Sequence, residues 1–449
     1  LSPYRCPDNV PDTDLDGIDD VVDKCPKEPE NVNSYQDDDG CPDVIPEKLK
    51  KFSGAIKGIE FETGSAKILP KSFKILDGAV AVVALRYWHA RRAVEAAQVD
   101  WAEASGPSYR PMPADFSTEK FAQYLADYRG TEEVAEAAGD MAQAFAGAAA
   151  TGSATYHSQY LNHAQLEPPS ALARYNADGT LDMWFPNQAP DMFLAQVAKA
   201  AGMPAGKVRI HSPLLGGFFG RHFTYPQGVP WPQALELAKR VGKPVKLIWS
   251  REEEFLRDPL RPMAAVRFRG ALDAKGMPVA IEAVSVTEGP TEGISDKRGP
   301  KLDSAALEGL TGKSYAVANR RIAQVYVKSP TTLAYWRSGG NSMNDFFYET
   351  FLDELADKGG QDPYALRLHL LEGNARLTTL LKAVVDLAGG WKAGVFTAPD
   401  GSKRARGIAM ASPFGSETAA MAEVSIVDGQ IKVHDLWQAI DPGRIVNPA

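Results

Sequence analysis

The rhythm of apolar and polar positions changes several times along the chain. Residues 80–84 form a short unbroken apolar run, which predicts a buried strand. Residues 87–98 carry Trp88, Ala90, Val94 and Ala97 at helical spacing. Residues 132–150 are rich in alanine, the best helix former, and predict a helix. Strand-like runs follow at 171–175, 181–185, 207–211 and 245–249, with a helix at 191–201. Segments 264–271 and 279–286 alternate as paired strands would, around a turn at Lys275–Gly276. Residues 344–358 read as a helix closed by Gly359 and Gly360. Segments 420–427 and 430–440 predict a hairpin around Asp428–Gly429. The expected fold class is α+β, with helices and strands intermixed in an α/β manner.

The first 43 residues break this pattern. They are rich in Asp, Pro, Asn and Cys and cannot bury enough apolar surface to fold by burial alone. Staples are needed, and a disulfide or bound cations would serve. Residues 44–77 are mixed, with a basic stretch at Lys48, Lys50 and Lys51. The ordinary α/β pattern starts near residue 79 and contains neither an internal repeat nor a low-complexity linker. The chain has three cysteines, Cys6, Cys25 and Cys41, so one thiol is left over. The long cysteine-free remainder excludes a Cys-ligated iron–sulfur or zinc site there. A net charge of −8 gives no basic footprint for nucleic acid or an anionic membrane. No apolar run is long enough to span a bilayer, and the chain begins without Met or a signal-like segment, so a removed leader or a missing start is expected.

Asp12, Asp14 and Asp16 occupy alternate positions and are followed by Gly17. Counted as an EF-hand-type loop, they are positions one, three and five. Ile18 would give its carbonyl at seven, and Asp23 closes at twelve. Such hard oxygen ligands suit calcium; the alternative is a solvated acidic loop. Asp37, Asp39 and Asp43 around Gly40 form a second, weaker set.

Four loops later in the chain carry candidate chemistry. Residues 214–221 read Leu-Leu-Gly-Gly-Phe-Phe-Gly-Arg, and their glycines allow backbone amides close to a ligand. The run is neither a Walker loop nor a GxGxxG fingerprint, and alone it reads equally as a turn. Residues 335–344 place Arg337 between Trp336 and glycines, as a cationic fork for a ligand or as a partner for a helix acid such as Asp353. Residues 412–416, Ser-Pro-Phe-Gly-Ser, and 441–448, Asp-Pro-Gly-Arg-Ile-Val-Asn-Pro, each read singly as turns.

Together and in this order, the four loops resemble the molybdopterin-binding subunits of the xanthine dehydrogenase/aldehyde oxidase family, of the isoquinoline 1-oxidoreductase β-subunit type. The likeness extends to His163-Ala-Gln165-Leu-Glu167-Pro168, to residues 243–252 and to 81–84, and covers about 79–449. The resemblance implies molybdopterin-binding lobes holding a molybdenum–pterin cofactor. It implies oxidation of a nitrogen heterocycle or an aldehyde with water as oxygen source, and electron transfer to a small [2Fe–2S] subunit. By position, Gly216, Gly217, Phe219 and Gly220 would approach the pterin, Arg337 and Ser338 would line the pocket, and Gly415 and Ser416 would contact the cofactor. On this basis 78–150 is a partial N-terminal hammerhead-like region and connector, and 151–449 the cofactor-binding domain.

The head has its own resemblance. Residues 1–43 resemble thrombospondin type 3 repeats, and 59–77 resemble the opening of an OmpA-like domain, which places a partial domain of that type at 44–77. The likeness implies that Cys25 pairs with Cys41, and disulfides with calcium imply the periplasm or cell envelope.

Three departures shape expectation. Phe218 stands where the family has a third glycine, and a ring there is expected to obstruct cofactor binding. Pro413 interrupts the third loop, and Glu417 replaces an aromatic residue. No Gly-x-Gly-Glu, the family's base-bearing loop, occurs in the sequence. Glu417 could replace that base or be an ordinary surface carboxylate, so no catalytic residue is assigned. The expectation is a hydroxylase large subunit, inactive as it stands, with a calcium-binding envelope module or a fusion of gene fragments as alternatives. Among the seven histidines, His163 could be a ligand or a packed supporting residue. No His-Glu-x-x-His or Gly-x-Ser-x-Gly supports zinc or serine hydrolysis.

Overall fold

The computed structural model describes residues 13, 24–28, 41–42, 81–96, 113, 115–223, 228–293 and 302–447. The chain divides into two compact units, Leu1–Ser105 with Lys239–Lys243, and Gly106–Ala238 with Pro244–Ala449. The expected calcium ligands Asp12, Asp14, Asp16, Ile18 and Asp23, the set Asp37, Asp39 and Asp43, and the whole of 44–77 lie outside the described residues.

In the first unit Cys25 and Cys41 form a disulfide. Helix α1 (Tyr87–Glu95) forms where the helical spacing places it, but Ala93 is its one buried residue and Trp88 stays 63% exposed. Of the strand expected at 80–84, residues 81–84 are described, and they form no strand. Residues 81–84 are half-buried and lie outside every sheet, because no described strand offers them a ladder partner.

The second unit is mixed α/β, with three sheets. The elements are α2 (Thr118–Asp127), β1 (Glu132–Ala138), α3 (Met141–Ala146), β2 (Ala150–Ser158), β3 (Ser170–Tyr175), β4 (Leu181–Trp184), α4 (Pro190–Ala201) and β5 (Val208–His211). They continue with α5 (Trp231–Val241), β6 (Val245–Ile248), α6 (Arg251–Leu256), β7 (Ala264–Leu272), β8 (Pro278–Thr287), β9 (Asn319–Tyr326), α7 (Asn341–Lys358), α8 (Pro363–Leu370) and α9 (Ala375–Leu387). The last four are β10 (Val395–Thr397), β11 (Lys403–Ala411), β12 (Glu417–Val427) and β13 (Gln430–Asp441).

The helix expected over 132–150 is replaced by strand β1, a turn at Gly139–Asp140, the short helix α3 and the start of β2. Tertiary pairing overrides alanine's propensity here. Strand β1 runs antiparallel to β9, where Glu132 and Glu136 meet Arg321 and Arg320 at 2.6 and 3.3 Å. Asp140 then caps α3 by accepting from the Gln143 amide at 3.0 Å.

The central five-stranded sheet has the order β1-β9-β8-β7-β2, all antiparallel except the β9–β8 pair. One face packs on α7 through Phe268, Phe347, Phe351, Leu352 and Leu355, each buried. Each such side chain contributes about 1.5–3 kcal/mol by leaving water. The other face is covered by α2, where Leu125 meets Val284, Val286, Ala323 and Val325.

A second sheet, β5-β4-β3-β6, buries Leu181 and Met183, with Phe185 edge-on to Phe193 of α4 at 5.1 Å. The third is a meander, β10-β11-β12-β13. Its β12–β13 hairpin turns at Asp428 and Gly429, whose φ values of 51° and 74° are those of a primed turn, as expected from the sequence.

A buried charge network joins α7, α8 and the meander. Arg367, fully buried, donates to Glu349 at 2.9 Å and to Asp353 at 2.6 Å. Glu349 also accepts from the Tyr315 hydroxyl at 2.8 Å and the Met410 amide at 3.0 Å.

Candidate functional site

The glycine-rich loop after β5 is laced to two other segments. Glu167 reaches the Gly216 amide with its carboxylate at 2.9 Å, and its own amide donates to the Gly216 carbonyl at 2.9 Å. The Leu166 amide donates to the Gly217 carbonyl at 2.8 Å. On the other side, the Arg337 amide donates to the Phe219 carbonyl at 2.8 Å. A Cβ on Gly220, where φ is +112°, would lie 2.8 Å from the Tyr335 carbonyl, so glycine is needed for this contact. The first two loops and the His163–Glu167 segment therefore form one assembly.

Gly216 lends its amide to Glu167, and its lack of a side chain makes room for that same residue, which a Cβ would meet at 2.5 Å. Among the described residues the amides of Gly217, Phe218, Phe219 and Gly220 donate to nothing. Gly217 and Phe219 hold φ of 72° and 54°, which leaves a run of amides of the kind that binds anionic or oxygen-rich groups. The Phe218 ring stacks on His222 at 5.3 Å. Arg337 is exposed and makes no ion pair among the described residues, since Asp353 is taken by Arg367. Ser338 turns the chain with φ of 68° and accepts from Asn341 ahead of α7.

Beneath the loop lies a buried polar cluster. Asp258 accepts from the His163 ring at 2.8 Å and amide at 2.5 Å, and pairs with Arg221 at 2.9 Å. His163 is thus a supporting residue, its second ring nitrogen facing the Tyr335 carbonyl at 2.8 Å. Arg221, His222 and Glu254 have no exposed surface. Burial, with the charges of Arg221 and His163, pushes the His222 imidazole down to about 3, so it is neutral. Burial likewise pushes the Glu254 carboxyl up. Both ring nitrogens of His222 are buried without a hydrogen-bond partner, while the Gln165 side chain lies against the Glu254 carboxylate.

The third and fourth loops meet at Arg376 of α9. Its guanidinium donates to the Asp441 carboxylate at 2.8 Å, the Asp441 carbonyl at 3.0 Å and the Gly415 carbonyl at 3.3 Å, and stands 3.5 Å from Glu417. The Ser416 amide turns inward to Pro413 at 3.0 Å, and Ser412 donates to Glu417. No hydrogen bond among the described residues ties these two loops to the first two.

The donor set suits an oxygen- and nitrogen-rich group: amides at 217–220 that donate to nothing among the described residues, beside the buried His222 ring, whose nitrogens have no hydrogen-bond partner. A pterin cofactor fits that description. The molybdopterin cofactor-binding domain model matches residues 127–371, more than half of the chain. The chain belongs to this family.

The molybdopterin cofactor-binding domain is similar to the isoquinoline 1-oxidoreductase β-subunit of Brevundimonas diminuta, 27% identical over 65% of this chain and 37% of the relative. It is also similar to a membrane-bound aldehyde dehydrogenase (pyrroloquinoline-quinone) of Gluconacetobacter polyoxogenes, 29% identical over 73% of this chain and 42% of the relative. The chain thus spans about two-fifths of the length of these relatives. In fold it is similar to quinoline 2-oxidoreductase from Pseudomonas putida 86, with a TM-score of 0.56 at 17% identity over 79% of this chain and 49% of that one. Sequence reasoning missed Asp258 and Glu254 within the domain, and Arg376 just beyond the matched residues, as parts of the site. Arg221 closes the glycine loop and His222 directly follows it, and that adjacency is the one available signal.

Proposed function

We propose that the chain is the cofactor-holding part of a molybdenum hydroxylase large subunit that oxidises a nitrogen heterocycle or an aldehyde, passing electrons to a small [2Fe–2S] subunit. The observation that carries this reading is the run of unpaired amides at 217–220, pinned between Glu167 and Arg337 above the Arg221–Asp258–His163 cluster. When bound, the cofactor supplies a two-electron redox centre. The chain's residues hold and orient it. The amides of 217–220 would hold it, and Asp258 and His163 keep the loop in register. Arg376 fixes the position of Gly415 and Ser416, and Arg337 and Ser338 edge the approach for substrate. Glu417 is engaged by Ser412 and Arg376 and serves the loop rather than a proton transfer. The test is to express the chain in a host that makes the cofactor, then measure molybdenum by mass spectrometry and pterin fluorescence after acid release. Co-purification of both supports the reading, and a chain carrying neither defeats it.

One observation favours a second role for the head. The Cys25–Cys41 disulfide pairs as a thrombospondin type 3-like, calcium-stapled segment would, and it suits an oxidising compartment such as the periplasm. Calorimetric titration with calcium chloride tests it. Heat lost in an Asp14→Asn, Asp16→Asn variant supports the reading, and an absence of heat in the parent chain ends it.

A further inference from the structure

A groove of about 530 Å³ lies on the face of the central sheet that carries α2. Arg129, Glu132, Arg267, Arg269 and Glu282 supply its charges, with Ser153 and Thr155 from β2. All of them are remote in sequence from the four cofactor loops.

The charges do not balance locally. Glu282 is shared by Arg269 at 2.6 Å and Arg321 at 3.2 Å, and Glu132 is held by Arg321 at 2.6 Å. Neither Arg129 nor Arg267 forms an ion pair with a carboxylate among the described residues, although Glu132 offsets part of the charge of Arg267. Both guanidiniums instead rest on the same two carbonyls at the end of α2. Arg129 donates to Ala126 at 2.7 Å and Tyr128 at 3.1 Å, and Arg267 to the same oxygens at 3.4 and 3.1 Å. Those carbonyls are the negative end of the helix, which explains why two cations gather there. They offer only partial charge, however, and burial together with Arg129 pushes the Arg267 guanidinium down from its ordinary range. Two like charges side by side in a partly enclosed groove, with spare N–H donors and two hydroxyls nearby, make a site lacking its anion.

We propose that this groove binds a small oxyanion of the phosphate class, bridged by Arg129 and Arg267 and accepting from the hydroxyls of Ser153 and Thr155. The bridging charge relieves the repulsion between the two guanidiniums, so binding is specific for a multiply charged anion over chloride.

The test titrates the chain with sodium phosphate at ionic strength held constant with sodium chloride, followed by calorimetry. Saturable binding is expected, weakened about tenfold or more in Arg129→Gln, since charge-assisted hydrogen bonds to this group are lost. Arg129 is exposed, so this variant keeps the fold, and Arg267→Gln gives the second reading. Arg174→Gln, on another sheet, is expected to bind as the parent does. Phosphatidate vesicles form a parallel arm. Co-sedimentation lost in Arg129→Gln identifies a lipid headgroup as the source, and binding of free phosphate alone identifies a soluble one. Non-saturable heat, or equal affinity in the parent and both groove variants, overturns the proposal.

Discussion

Replacing Asp258 by Asn removes one charge from the middle of the cluster beneath the cofactor loop and nearly nothing else. The carboxylate is 1% exposed, and its partners Arg221 and His163 are fully buried. Asn preserves the volume but presents an amide N–H to groups that are themselves donors. Arg221 is then left with Glu254 as its nearby negative group. Removing one partner of a buried pair costs about 3–5 kcal/mol, because the other charge stays buried without compensation. At roughly 2–4 °C per kcal/mol, the melting temperature of this unit should fall by about 6–20 °C. Scanning fluorimetry measures this directly, since Trp249 lies under the Arg221 guanidinium at 5.8 Å. Hydrogen exchange should also quicken at the Arg337 amide, as the loop it holds loses its floor. A double variant, Arg221→Met with Asp258→Asn, removes the stranded charge and should recover at least half of the loss. A melting point for Asp258→Asn within about a degree of the parent, or a double variant as unstable as the sum of the two singles, would refute the assignment of Asp258 as the cluster's counter-charge.

Arg367→Met strands Glu349 and Asp353 and should lower the urea midpoint by the equivalent of about 3–5 kcal/mol; an unchanged midpoint would count against the network. His222 is held neutral, its folded value near 3 against an ordinary 6.5. Its contribution is therefore full above pH 6.5 and is lost as pH falls toward 3, with a slope of up to one proton. His222→Phe should flatten that limb of the stability curve, and an identical limb in the variant would contradict the burial argument. Gly220→Ala forces a Cβ against the Tyr335 carbonyl at a positive φ, which should cost about 1–3 kcal/mol and lower molybdenum content. Retention of both would show that the two loops need not touch.

The readable parts of the fold were those decided locally. Asp428–Gly429 dictates a primed turn whatever surrounds it, and the segments 264–271 and 279–286 flanking Lys275–Gly276 pair as the antiparallel strands their pattern predicts. The segment 132–150 was illegible because its outcome rests on Arg320 and Arg321, nearly two hundred residues away, which hold its glutamates in a ladder. The candidate site divides in the same way. The glycines of 216–220 and the His163 motif could be picked out, but the purpose of Gly216 could not. That depends on Glu167 arriving at the same point. Asp258 carries no local signature, since its role exists only where three distant segments converge. The sequence offers Arg337 as a partner for Asp353, but Arg367, fourteen residues beyond Asp353, takes that place.

Arg376 couples two loops that are remote in sequence. A single side chain on one helix grips both 412–417 and 441–443, so these segments are geared to α9 rather than free to wander separately. A small roll of that helix would carry both in the same direction by similar amounts, and a ligand settling against either loop would register on the other without touching it. The same gearing restricts sequence drift. A residue inserted into one loop would pull the pin away from the other, so lasting changes in the two loops should arise together.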